Sequence, residues 1–158
     1  TLRNGNIHNN KYTKCYAEKI MMCDEGQVSP MHFHWNKMED IINRGGGNIS
    51  FKLYNAAADE KLADTDVEIY RDGCRYRVPA GTSVILKPGE SLSLYPRIYH
   101  EFTIPEGFGS VLIGEVSMCN DDNTDNKFLD PLGRFPAIEE DEPPYRLLCT
   151  EYPPAKDR

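Results

Sequence analysis

This chain of 158 residues is short of several things that would otherwise define a class. It has no apolar run near the roughly 18 residues that suggest a membrane-spanning helix, and its N-terminal residues lack the charged-then-apolar pattern of a signal peptide. Basic residues are scarce: 18 Lys and Arg stand against 25 Asp and Glu, a net charge of −7. Nucleic acids and anionic membranes both call for a basic footprint, so neither is an expected partner. The five cysteines (15, 23, 74, 119 and 149) are odd in number and form no Cys-x-x-Cys pair. They read as free thiols of a reducing compartment, and the expected location is the cytoplasm. No long amphipathic helical pattern, internal repeat or low-complexity tract is present. The first residue is Thr, not Met, and a longer precursor is the expectation.

What is there is punctuation and short apolar runs. Twelve glycines and eleven prolines are spread along the chain, separating segments rich in Val, Ile, Tyr and Phe. Strands are expected at 14–23, 31–35, 48–54, 65–71, 74–79, 83–87, 91–95, 100–104 and 110–118. Asp72-Gly73 between two such runs is a two-residue hairpin signal, since Gly accepts positive φ. Pro88-Gly89 and Pro105-Glu106-Gly107 mark further turns. Regular strands at this spacing suggest a closed or sandwiched all-β fold, which leaves few exposed edges. About 11–118 would form the barrel of a single domain. The polar, proline-rich and acidic segment 119–158 would wrap it or cross to a partner subunit.

The histidines are few, four in all, and two of them fall together in Met31-His32-Phe33-His34. Side chains alternate in a strand, so His32 and His34 point the same way, about 7 Å apart along the chain. With a turn at 35–38, Glu39 returns beside them. Nitrogen and oxygen donors converging on one point can hold a divalent metal with positions left open for substrate. His100, which follows a turn, a strand and the proline-led turn at Pro96, can lie beside them in a barrel. Asp40 is the rival carboxylate, but adjacent side chains diverge and the spacing favours Glu39. His8 has no such company and reads as an ordinary surface histidine.

These residues also carry a resemblance. The pattern Gly26-x5-His32-x-His34-x4-Glu39-x6-Gly46 resembles the first cupin motif at each fixed position. A looser second motif runs through Gly89, Pro96 and His100, with Ile98 where glycine is usual. The wording around them is similar to the D-lyxose ketol-isomerase family. Its blocks are Tyr16-Ala-Glu-Lys-Ile-Met21, Pro30 to Gly47, Gly114-Glu-Val-Ser117, and Arg134-Phe-Pro-x-Ile-Glu-Glu-Asp-Glu-Pro143, within a resemblance from about residue 1 to 152. Members of that family carry an additional N-terminal segment.

The resemblance implies a cupin-type β-barrel (a double-stranded β-helix or jelly roll) with an irregular C-terminal tail packed on it. It implies a metal-dependent aldose–ketose isomerase interconverting D-lyxose and D-xylulose, with D-mannose and D-fructose as further substrates. The metal ligands would be His32, His34, Glu39 and His100. The ion expected from the family is Mn²⁺, while Zn²⁺, Co²⁺ or Fe²⁺ would also suit the donors. Lys37, between His34 and Glu39, would hold or protonate a sugar oxygen. Glu140, then Glu139, would supply the acid–base carboxylate from the acidic tail, and Glu115 would face the barrel interior as a substrate contact. The expected partners are a small sugar and a second copy of the chain. Two other readings stand beside this one: an Fe²⁺ dioxygenase using the same four ligands, and a non-catalytic sugar-binding cupin module.

Overall fold

The computed structural model describes residues 1–131, 139, 141–147 and 153. Among them every regular element is a strand: β1 Tyr16–Cys23, β2 Val28–Phe33, β3 Glu39–Gly46, β4 Ile49–Ala56, β5 Leu62–Ala63, β6 Val67–Arg71, β7 Cys74–Val78, β8 Ser83–Leu86, β9 Ser91–Leu94, β10 Ile98–Thr103, β11 Val111–Met118 and β12 Lys127–Phe128. No helix among the described residues is long and apolar enough to cross a membrane. The all-β expectation holds.

The strands form two antiparallel sheets. One has the order β1-β11-β3-β9-β6-β7 and the other β12-β2-β10-β4-β5, with β8 paired to β4. Period-2 burial sets their inner faces: Ile49, Phe51 and Leu53 of β4 are fully buried, while the residues between them are not. Leu92 and Leu94 of β9, with Val67 and Ile69 of β6, fill the space from the opposing sheet. The hairpin at Asp72-Gly73 forms as read, joining Arg71 to Cys74 with both turn residues at positive φ, 50° and 78°.

Three strands were absent from the sequence reading. β3 is the consequential one, because it lies between β11 and β9 and begins at Glu39. Its Asp40, Asn43, Arg44 and terminal glycines are poor strand formers, so local propensity hid it. Tertiary pairing overrides that: β3 matches β9 from Glu39↔Leu94 to Ile42↔Ser91, and β11 from Ser117↔Glu39 to Val111↔Gly46. A bulge opposite Leu112 and Ile113 leaves Arg44 as the extra residue of β3, while Gly45 and Gly46 stay paired with Leu112 and Val111. Gly46 is required there, with φ of 95° and a Cβ position only 2.1 Å from the Ser110 carbonyl oxygen. β5 and β12 have two residues each, too short to leave a pattern.

Candidate active site

The sheet order decides which side chains meet. β2 and β10 are neighbours, and His32 stands directly opposite His100 in their ladder. His34 lies one residue beyond β2, held because its carbonyl accepts from Arg97 N at 2.8 Å. The positive φ of the 96–99 turn falls on Arg97 (65°), not on Ile98, which begins β10. From the opposite sheet β3 contributes Glu39, β11 contributes Glu115 and β1 contributes Lys19. Lys37 enters from the connection between the sheets. Together these line a cavity of about 190 Å³.

Each of the three imidazoles is anchored through Nδ1 to a backbone carbonyl oxygen. His32 Nδ1 lies 2.7 Å from Pro30 O, His34 Nδ1 2.6 Å from Asp125 O, and His100 Nδ1 3.0 Å from Ile98 O. A carbonyl only accepts, so each Nδ1 carries the proton and each Nε2 presents a lone pair. The three rings offer ligand atoms within 4.8 Å of one another. His34 Nε2 is buried with no hydrogen-bond partner. His100 Nε2 sits 3.1 Å from Glu39 Oε1, and His34 Nε2 3.6 Å from Glu39 Oε2. Lone pairs aimed at a carboxylate in a buried site call for a proton or a cation between them. The three imidazoles could therefore hold a metal ion, with Glu39 beside two of them.

The charges around this set are tightly paired. Lys37 Nζ lies 2.7 Å from Glu39 Oε2 and 3.1 Å from Glu115 Oε1, with each of the three residues at 5% exposure or less. Burial pushes the Lys37 ammonium down, but the hydrogen-bonded carboxylates of Glu39 and Glu115 outweigh it and raise its pKa. Burial likewise pushes the Glu39 carboxyl up. In the metal-free site a proton takes the cation's place between the rings and Glu39; that interaction with His100 and His34, with the charge of Lys37, overcomes burial and holds the carboxyl well below its usual range. His32 is held well below its ordinary value, by burial first and then by His100 and His34.

The other sequence-read residues are placed plainly. Asp40 is turned away from the donors and accepts from Ser93 Oγ. His8 is exposed, 3.3 Å from Asp121. Glu139 is exposed and does not line the cavity, and Glu140 lies outside the described residues. Three residues that sequence reasoning missed also belong to the site. Asp125 accepts from the backbone N–H groups of Asn36 and Lys37, both at 2.9 Å, and so fixes the loop that carries the lysine. Phe128 packs on His32 with ring centroids 5.3 Å apart. Lys19 reaches Glu115 at 3.0 Å; a lysine on the inner face of a strand, between Ala17 and Met21, was its one local signal.

Fold and site together define a class: a cupin-type barrel with three histidines, a carboxylate and a buried lysine–glutamate pair in its cavity. The chain belongs to the D-lyxose isomerase family, whose model it matches over residues 1–152. It is 59% identical over 152 residues to a D-lyxose/D-mannose isomerase of Serratia proteamaculans and 55% identical to one of Escherichia coli O157:H7, in each case over 96% of this chain and 67% of the relative. Among solved structures, the Cellulomonas parahominis L-ribose isomerase with L-ribose superposes with a TM-score of 0.54 at 17% identity, over 74% of this chain and 59% of that one. The Acinetobacter sp. DL28 L-ribose isomerase with L-ribose gives 0.54 at 16% identity, over 73% and 59%. The chain thus spans about two thirds of the curated relatives and less of the solved ones, whose likeness speaks for the fold.

Proposed function

We propose that the chain is an aldose–ketose isomerase that interconverts D-lyxose and D-xylulose, and D-mannose and D-fructose. The observation that carries this reading is the cavity itself. Three imidazoles converge in it beside Glu39, and Lys37 joins Glu39 to Glu115 along the same wall. The substrate names come from the curated relatives.

His32, His34, Glu39 and His100 are the proposed ligands of a divalent metal, with Mn²⁺ the first choice. Such an ion supplies Lewis-acid polarisation of the sugar carbonyl and stabilises negative charge on the reacting oxygens. The chain's own groups do the rest. Lys37, kept protonated by two carboxylates, donates to a sugar oxygen at C1 or C2 and relays the hydroxyl proton from O2 to O1. Glu115, beside it, takes the C2 proton of the open-chain aldose and returns it to C1, which gives the ketose. Glu39 holds Lys37 from the other side and fixes where its ammonium points. Glu139 and Glu140 are the rival carboxylates for the proton transfer.

The deciding experiment is conversion of D-lyxose to D-xylulose by the chain, with and without added Mn²⁺, next to Glu115→Gln, Glu139→Gln and Glu140→Gln. Loss of turnover of about 10² or more in the first alone supports the assignment. Metal-loaded protein without turnover in any form would sink the isomerase reading.

The same proposal extends to a cytoplasmic homodimer. The outer face of β1 and β11 exposes Tyr16, Ile20, Met22, Leu112, Val116 and Met118 together, a surface that a second copy would cover. The four described cysteines are unpaired, which suits a reducing compartment. Light scattering on a size-exclusion column tests the dimer.

A further inference from the structure

Lys19 stands directly opposite Glu115 in the β1–β11 ladder. Strand alternation turns Tyr16, Ile20 and Met22 outward, and so turns Lys19 inward beside Ala17 and Met21. An ammonium in that position is costly unless its charge is met. Its Nζ lies 3.0 Å from Glu115 Oε1 and 2.7 Å from Asn120 Oδ1, and its side chain is 15% exposed at the cavity wall. Lys37 Nζ reaches the same two oxygens, at 3.1 and 3.3 Å. Two ammonium groups therefore grip one carboxylate oxygen and one amide oxygen. Lys37 has Glu39 as a second carboxylate, whereas Lys19 has Glu115 alone among the described residues.

The arrangement is asymmetric in a useful way. Lys19 approaches from β1 and Lys37 from the loop on the other side of Glu115. Without the pull from β1, Glu115 and Asn120 would settle wholly on Lys37. The ammonium would then be neutralised on two sides by Glu39 and Glu115, with fewer of its three donors left for a sugar oxygen. Glu115 would at the same time be drawn from its place beside the substrate.

We propose that Lys19 is a positioning residue for the isomerisation, holding Glu115 and Asn120 from the β1 side so that Lys37 and Glu115 stay presented to the sugar. This rests on the isomerase reading and deepens it. Lys19 acts through Glu115 and Lys37, so its loss falls on the chemical step more than on sugar binding. A displacement of about 1 Å in such groups is worth about 10²-fold in rate.

The test compares wild type, Lys19→Met, Lys19→Arg and Asn120→Ala in the full chain with added Mn²⁺, measuring kcat and KM for D-lyxose, bound metal and melting temperature. Lys19→Met should keep its metal and KM within about threefold while kcat falls about 10²-fold. Lys19→Arg, which restores a cation with several donors, should recover much of that loss. A merely structural lysine would lower the melting temperature and leave kcat alone, and that result overturns the proposal. Should Lys19→Met fail to fold, Asn120→Ala decides. A lowered kcat at unchanged metal content and KM supports the shared grip, and an unchanged kcat overturns it. A wild-type chain with bound metal and no turnover overturns the isomerase reading and this proposal with it.

Discussion

His100 Nε2 and Glu39 Oε1 face each other across 3.1 Å from strands of opposite sheets. With the His100 Nδ1 proton committed to the Ile98 carbonyl, both facing atoms are acceptors. His100→Ala should therefore cost metal affinity more than the 10- to 100-fold typical of a group that only supports a ligand. Metal analysis after dialysis reads this directly; a metal-to-protein ratio equal to wild type would remove His100 from the ligand set.

The metal-free chain should lose stability as it is acidified, in two stages. His32 is held below its ordinary value, so its neutral form is favoured in the fold. That contribution is whole above the unfolded value of about 6.5 and drains away as pH falls towards the lower folded one. Glu39 is held below its usual range, so its contribution is whole above about 4.3 and drains away at lower pH. Melting temperatures of chelator-treated protein between pH 7.5 and 5 should fall, and His32→Asn should flatten the slope. A flat profile in the wild type would contradict the first stage.

Asp125→Ala should both destabilise the fold and disturb Lys37. Its carboxylate accepts from two backbone N–H groups, and an orphaned buried donor costs about 1–3 kcal/mol. Urea unfolding should show a loss in that range and kcat should drop. Asp125→Asn, which keeps one acceptor oxygen, should fall between. Equal stability for all three would mean that the loop is held by something else.

Gly46→Ala should be far worse than Gly26→Ala, although both glycines have positive φ. At Gly26 a Cβ meets nothing within 4 Å, so the cost is the backbone term of about 1–2 kcal/mol. At Gly46 it would drive into the Ser110 carbonyl, adding about 1–3 kcal/mol of overpacking and loosening β3, which carries Glu39. Similar denaturation midpoints for the two variants would refute this difference.

His32, His34 and Glu39 were legible together because strand alternation and a short turn act within eight residues, whereas His100 comes beside them through the pairing of β10 with β2. β3 was not, since its pairing with β9 and β11 overrides the poor strand preference of Asp40, Asn43 and the glycines. Asp125 and Lys19 were hidden for another reason. Their partners lie 88 and 96 residues away, and no local pattern marks a residue whose role is fixed by a distant neighbour. Both became visible only when β11 and the segment leading to β12 were laid beside β1 and β2.

The acceptors that orient the three imidazoles belong to Pro30, Ile98 and Asp125, and in each case the main chain supplies the oxygen. No side-chain substitution can delete a carbonyl. The side chains at 30 and 98 are thereby free to drift, within what the strands tolerate, while the tautomer of every ring stays the same. Mutation can remove a donor from this site, but it has little means of turning one the wrong way.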